Sequence, residues 1–342
     1  MRNARRALHA GLSLSLVVLL LGFALPNVTG AEWAPVVDLL QLLTARQVAL
    51  LLGLWLLGLY AHTFLATAAL PDLTHRQALQ LNLSGSAVSN LVPFGGALGM
   101  GLNYAMVRSW GHGPGSFGPF TALTTLWNVL VKLALPVVAL GLLLVAGGLP
   151  TPGLALAAVI AASTLFAVLL LVMVALASEK AAGLLGRVCQ VIGTSALRLA
   201  RSSRELSAER AVLDLRHRMT SLLRRRWHRM LLGMTTYAVL QATLLWLILH
   251  MLGSSLGIVP VFAGFSFGRL LTLLVVTPGG VGIAETGSAA LLVALGGDAA
   301  VVAAGTLVFT GITFALEIPV GGVCGLLWWR RATRTAGLGG TA

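Results

Sequence analysis

Apolar residues run along this chain in blocks of about 20, separated by short polar links, and that spacing predicts helices that cross a bilayer. The clean blocks are 8–28, 48–70, 120–146, 154–177, 230–251 and 299–329. Two further stretches are apolar but interrupted. Residues 77–110 break at LVPFGG (91–96), and residues 258–297 break at TPGGVG (277–282). The pieces around the first break also carry Asn82, Ser84, Ser86, Ser89, Asn90 and Asn103. Pieces this short or this polar do not comfortably span roughly 30 Å of hydrocarbon at about 1.5 Å per residue. The pattern predicts an all-α polytopic membrane protein with about six transmembrane helices plus two re-entrant helical hairpins.

Composition agrees. The chain is 57% hydrophobic and 10% charged, with a mean hydropathy of +0.92, whereas soluble domains carry about a quarter charged residues. A soluble core is excluded. Cys189 and Cys324 lie far apart in different contexts, so no disulfide, metal site or cofactor is read from them. Arginine outnumbers lysine heavily, and Ala, Gly and Leu abound. That usage fits a bacterial protein of high-GC genome, and an all-α polytopic protein of such a cell is expected in the inner membrane.

Charge then constrains the topology. Lys and Arg number 23 against 10 Asp and Glu, a formal net charge of +13. Let the N-terminus lie inside and let both interrupted stretches return to the side they left. The cytoplasmic segments are then 1–7, 71–76, 108–118, 178–229 and 330–342. They hold 20 of the 23 positive residues, twelve of them in 178–229. The external loops hold only Arg46, while Lys132 and Arg269 sit inside apolar stretches. A single crossing by 77–110 would put the twelve positives outside, against the positive-inside rule. Two full crossings give the same parity as a hairpin, and the short halves favour the hairpin. The first hairpin, 77–110, enters from the cytoplasm and the second, 258–297, from outside. Both breaks place a proline before glycines, Pro93-Phe-Gly-Gly and Pro278-Gly-Gly. Like elements in opposite orientation mark an inverted repeat. The chain thus reads as a single integral membrane domain, 1–342. It comprises an N-terminal span and external loop (1–47), a first half (48–177), a basic segment (178–229), a second half (230–329) and a cytoplasmic tail (330–342). A cleaved signal peptide ending near Gly30 is the alternative for the first span, and it would leave the rest unchanged.

The basic segment accounts for most of the net charge. Leu185, Val188, Ile192, Leu199, Leu206, Leu213, Met219 and Leu222 fall at intervals compatible with one helix face, and arginines decorate the rest. Arg210, Asp214 and Arg218 stand at helix-pairing spacing. An amphipathic cytoplasmic segment lying on anionic lipid is the expectation. Nucleic acid is not: no aromatic platform is interleaved with the arginines.

The candidate chemistry lies at the breaks. Gly279, Gly280 and Gly282 allow a sharp turn and close approach of backbone to a ligand, or simply tight helix packing. Pro278 is expected to open the following half-helix, where its missing N–H is no loss. A helix N-terminus at membrane depth attracts phosphate or carboxylate. It survives there only inside protein or beside a water-filled cavity. Glu285 falls in the first turn, as a cap, a headgroup contact or a proton carrier. Arg269 precedes the break and is the better phosphate ligand, because a guanidinium gives bidentate contacts. Lys132 and Glu317 complete two positives and two negatives in apolar stretches, a balance that mutual pairing would also explain. Asn82, Asn90, Asn103 and Asn128 line the same polar path or hydrogen-bond between helices. His62 and His250 read as packing or interfacial residues. The spacing Gly280-x-Gly282-x-x-Glu285 is no dinucleotide fingerprint, lacking the third glycine and a βαβ context.

The run Thr277-Pro-Gly-Gly-Val-Gly-Ile-Ala-Glu285 resembles the PGGxGxxE signature of the lysylphosphatidylglycerol synthase transmembrane region, a flippase-like integral membrane family. Asn90-Leu-Val-Pro-Phe-Gly-Gly-Ala-Leu-Gly99 is similar to its first-half element. The resemblance covers roughly 45–330 and implies movement of lipids or lipid-linked substrates between leaflets. The chain resembles a stand-alone member without a synthase domain, since its largest polar segment is far below the usual 100–150 residues of a domain. Many relatives carry an arginine in the last membrane segment near the position of Thr310. The expectation is a lipid translocator, not an enzyme, for an anionic or glycosylated lipid or a lipid-linked precursor. Its headgroup would meet Arg269, Pro278, Gly279, Gly280, Gly282, Glu285, Pro93, Gly95, Gly96, Asn90, Lys132 and Glu317. A non-transporting partner subunit of a lipid-modifying or glycosyl-transferring enzyme, docked through 178–229, is the alternative.

Overall fold

The computed structural model describes residues 20–91, 95–147, 159–161, 163–167, 170, 208–273 and 281–338. Among them the regular structure is helical throughout. A π-helical turn, Leu20–Ala24, leads into α1 (Leu25–Thr29), and α2 is Trp33–Gln41. Next come α3 (Ala45–Ala69), α4 (His75–Leu91), α5 (Gly95–Ser109) and α6 (Pro114–Val145). After the basic region follow α7 (Ala208–Met251), α8 (Ile258–Leu271), α9 (Ile283–Ala294) and α10 (Ala299–Thr310). A π-helical turn, Gly311–Ala315, joins α10 to α11 (Glu317–Leu338).

Helices long and apolar enough to cross a membrane cover Ala45–Ala69, Gly115–Val145, Arg225–Met251 and Ala299–Thr333. These match four of the expected spans. The expected first and fourth spans fall largely outside the described residues, although 163–167 within the fourth is helical. By contrast α4, α5, α8 and α9 have 17, 15, 14 and 12 residues, or roughly 18–26 Å of length each. None matches a hydrocarbon core of about 30 Å. Leu56, Leu57, Val138, Val323 and Leu326 stand exposed on the outer faces of the long helices. In a polytopic membrane protein such a surface faces lipid, and the polar groups turn inward.

Local rules set several helix starts. Thr44 and Gln47 form a capping box at α3, with the Thr44 N–H donating to Gln47 Oε1 at 2.8 Å. Thr74 and Gln77 repeat it at α4, where the corresponding distance is 2.9 Å. Both are Thr-x-x-Gln in sequence. Asp298 caps α10 by accepting from the N–H groups of Ala300 and Val301 at 3.0 Å.

Packing pairs the halves. Helix α3 lies along α7, α4 along α11, and α8 along α6. The first helix after each half's opening span therefore packs on a span of the other half. One apolar cluster gathers Leu70, Leu73, Ala78, Val107, Leu222 and Trp328. It places the start of α4, the end of α5 and the end of α11 at one end of the bundle. A second gathers Val36, Leu256, Val261, Leu292 and Val302, placing the start of α8 and the end of α9 at the other end. Small residues permit these contacts. A Cβ on Gly321 would lie 2.7 Å from the Leu83 carbonyl carbon, and one on Gly233 would lie 2.8 Å from Phe64 Cβ.

Two features differ from the sequence reading. The expected external loop before α3 contains α2, whose Val36 is buried against the core. The expected surface segment 178–229 is not separate from the fifth span over 208–229. Helix α7 runs unbroken through 44 residues, about 66 Å, twice what a bilayer core requires. Its Leu222 and Leu223 pack against the cluster at the end of α3, and Arg226 reaches the Thr67 carbonyl at 3.4 Å. The apolar face that includes Leu222 meets protein here and not a lipid surface, and that anchoring holds the extension in line with the span. Residues 178–207 lie outside the described residues.

Candidate functional site

A cavity of about 340 Å³ lies between the halves. Its floor and walls come from α3, α4, α6, α7, α8, α9, the π-turn before α11, and α11 itself. The Gly311–Ala315 π-turn brings Thr313 and Phe314 to the wall, and Glu317 follows after Leu316. Such turns widen a helix locally and recur at functional sites.

All four charged residues of the apolar stretches meet here: Lys132 from α6, Arg269 from α8, Glu285 from α9 and Glu317 from α11. They are separated by 137, 16 and 32 positions along the chain, so only packing gathers them. Arg269 acts electrostatically on each of the other three. Direct pairing, one of the expected explanations of the charge balance, is not what the geometry shows. Among the described residues no ion pair of 4.0 Å or less joins either cation to either carboxylate. Glu285 is instead held by a neutral donor, its Oε2 accepting from the Gly282 N–H at 2.6 Å, and Glu317 lines the cavity with Ser86. The Arg269 guanidinium lies 5.1 Å from the Phe265 ring centre and 5.8 Å from that of Phe309. Those two rings meet edge-on at 6.3 Å. The aromatic faces position the cation without supplying hydrogen-bond acceptors. Among the described residues none accepts from it, which leaves its donors for water or an anion in the cavity, because a cation this deep without partners costs several kcal/mol.

The opening of α9 corrects one expectation. The helix begins at Ile283 with Gly282 before it at φ 94°, so Pro278 does not form its first turn. Gly282 adopts a left-handed backbone that only glycine takes readily, and Glu285 closes that turn through the Gly282 N–H. Gly282 is thus buried behind the cavity wall, where its neighbour Val281 is a lining residue. Pro278, Gly279, Gly280 and Pro93 lie outside the described residues.

At the other break, Asn90 lines the cavity. Gly95 does not. It starts α5 against α4, where a Cβ would sit 2.6 Å from the Ser89 carbonyl oxygen. The tight-packing explanation for glycine applies there. Gly96 is exposed with open space around it, because the first turn of α5 points it away from α4.

Sequence reasoning undervalued His62. It lines the cavity, its Nδ1 lies 3.3 Å from Asn82 Nδ2, and its ring packs edge-on against Tyr237 at 5.0 Å. An apolar span gives no signal for this, since only the meeting of α3, α4 and α7 makes the position polar. His250 behaves as expected, stacked on Trp246 at 5.3 Å. Asn82 and Asn128 also line the cavity, and both continue with His62, Ser86 and Asn90 into a second cavity of about 290 Å³ bounded by α5 and α6. Asn103 is part of that second wall. A small recess of about 50 Å³ extends the other way, beyond Arg269 toward Ser288 and Thr306.

A family model described as the lysylphosphatidylglycerol synthase transmembrane region matches residues 10–321. No curated protein matches the chain.

Proposed function

The chain belongs to the lysylphosphatidylglycerol synthase transmembrane-region family, a family of membrane proteins in lipid-related processes, and on that premise we propose that it moves an anionic or glycosylated lipid, or a lipid-linked precursor, between leaflets. One observation carries the reading. Asn90 and Val281, at the edges of the two breaks, and all four charges of the apolar stretches line one polar cavity between two packed halves.

In this reading α4–α5 and α8–α9 are re-entrant hairpins that enter from opposite sides. Their lengths, and the opposite ends of the bundle to which they return, support it. The arginines at the α7 and α11 end, including Arg225, Arg229 and Arg330, orient that end to the cytoplasm of a bacterial inner membrane by the positive-inside rule. Both termini then lie inside. A phosphate enters the cavity and takes the free donors of Arg269, with Lys132 as a second positive charge. The acyl chains stay in the bilayer. Lys132 comes from the first half, while Arg269, Glu285 and Glu317 come from the second, so rocking one half against the other alternates access and changes the grip on the headgroup. The protein acts as a carrier without a covalent step. A non-transporting partner subunit has no use for charges gathered around a central cavity.

The test is leaflet exchange in proteoliposomes carrying labelled lipids of several headgroup classes. Accelerated exchange that falls at least tenfold in Arg269→Gln supports the proposal. No acceleration over protein-free vesicles with any headgroup overturns it.

A further inference from the structure

The second cavity has a chemical character of its own. Its described lining contains no Asp, Glu, Lys or Arg. Amides and hydroxyls take their place, among them Asn128, Thr121 and Thr124 of α6. Because it shares His62, Asn82, Ser86 and Asn90 with the charged cavity, the two form one continuous polar recess. Met100 of α5 also lines this second cavity, yet it is 48% exposed. Tyr104, one turn further along α5, is exposed as well. The recess therefore reaches the lipid-facing surface of the bundle beside α5.

A gap in the packing makes that opening. Helix α5 packs along α4 but hardly along α6. What closes the gap near the linked ends of α5 and α6 is a pair of rings, Tyr104 meeting Phe117 edge-on at 5.3 Å. The corresponding place in the second half is filled. There α9 packs on α1 as well as on α10, and Leu25 of α1 is fully buried. The two sides of the ring pair are held unequally. Trp328 Nε1 donates to Ser109 Oγ at 2.8 Å and fastens the end of α5 to α11. Gly99 seats α5 on α4, where a Cβ would lie 2.8 Å from the Gly85 carbonyl oxygen. Phe117 instead belongs to the run Gly111-His-Gly-Pro-Gly-Ser-Phe-Gly-Pro119. Pro119 lies inside α6 and has no N–H for the Gly115 carbonyl, which loosens the turn that carries Phe117.

We infer that the gap between α5 and α6 is the side entrance by which a lipid passes between the cytoplasmic leaflet and the charged cavity, with Tyr104 and Phe117 as its gate. The inference rests on the carrier reading above and says how that site is reached. A headgroup leaving water needs polar groups to replace its hydration, and the neutral amides and hydroxyls supply them on the way to the charges. Acyl chains cannot follow through close-packed helices, so they need an opening along the side of the bundle. A single edge-on ring pair closes such an opening more weakly than an interdigitated helix interface does. The first turn of α6 is the side that swings, because α5 is fastened.

The experiment uses the full chain with Cys189→Ser and Cys324→Ser, to which Tyr104→Cys and Phe117→Cys are added. A short bis-methanethiosulfonate bridges the two new thiols in detergent, mass spectrometry gives the bridged fraction, and the protein is reconstituted for the leaflet-exchange assay above. Bridging should cut exchange at least tenfold, and reductant should restore it. A second variant plugs the entrance without tying the helices together. Met100→Cys carrying a bulky methanethiosulfonate adduct should lose exchange to a similar extent, again reversibly. The same adduct on Val138→Cys, an exposed position of α6 that lines neither cavity, should leave exchange unchanged. If either the bridged or the Met100-modified protein exchanges lipid as fast as its reduced form, the inference falls while the carrier reading stands. It also falls if the Val138 adduct inhibits equally, or if reductant restores nothing. Should the double variant fold poorly, the Met100 and Val138 arms decide alone. If the parent chain gives no exchange, the carrier reading falls and the entrance falls with it.

Discussion

Adjacent glycines in α11 should behave in opposite ways. Gly321 is buried against α4, and a Cβ there would lie 2.7 Å from the Leu83 carbonyl carbon and 2.8 Å from Ala87 Cβ. Carbon atoms rest about 3.5–4.0 Å apart, so Gly321→Ala must part α4 and α11 by close to 1 Å. Overpacking of this kind costs about 1–3 kcal/mol. The gain in helix propensity from Gly to Ala offsets up to roughly 1 kcal/mol of that. A net loss of about 1–2 kcal/mol remains, and it falls one helical turn from Glu317 on the cavity wall. Gly322 has nothing within 4 Å of its hypothetical Cβ, so Gly322→Ala should be neutral or slightly stabilising. The assay is thermal unfolding in detergent, followed by tryptophan fluorescence. Gly321→Ala should lower the apparent Tm by roughly 2–6 °C relative to Gly322→Ala and should slow lipid exchange as well. Identical melting of the two variants would refute the reasoning, because it would mean that α4 and α11 do not meet at Gly321.

Other substitutions probe separate parts of the argument. Glu285→Ala leaves the Gly282 N–H without its acceptor and should cost about 1 kcal/mol, seen as a lower Tm, whereas Glu285→Gln keeps an acceptor oxygen and should retain most of it. Glu317→Gln takes a negative charge from the cavity wall at nearly constant side-chain size. An anionic short-chain lipid should then bind more tightly in calorimetry, and weaker binding would contradict the placement of Glu317 beside the phosphate. Ser288→Ala removes a buried hydrogen bond of 2.8 Å to the Gly264 carbonyl and should lower stability by about 1–3 kcal/mol, as judged by melting, because that carbonyl loses its side-chain donor.

Some of the site was legible in the sequence because its signals are local. A charge in a stretch of Leu, Val and Ala stands out wherever it lies, so Lys132, Arg269, Glu285 and Glu317 could be named together. Glycine and proline runs mark breaks in the same way, and the first-turn position of Glu285 follows from its spacing. The role of Gly95 and Gly96 was less legible. Both lie in one GG pair, and only the direction in which α5 leaves the break makes the first a packing residue and the second an exposed one. The start of α9 at Ile283, rather than at Pro278, depends on a left-handed Gly282 that no residue pattern specifies. His62 and Thr121 are ordinary members of apolar spans until helices far along the chain turn them toward a cavity.

By itself the sequence determined the membrane class, the all-helical architecture, the family and the two interruptions. Those depend on hydrophobic length, charge distribution and local backbone preference, each read within a few dozen residues. Tertiary structure decided that the charges share a cavity without pairing and that a neutral compartment adjoins it. It also decided that α7 runs as one helix from Ala208 to Met251, well beyond its apolar span. Those outcomes come from contacts between α4 and α11, α8 and α6, and α3 and α7. Each joins residues far apart along the chain through glycine-sized gaps and buried leucines, and the free energy of such contacts depends on which surfaces meet rather than on any local run of residues.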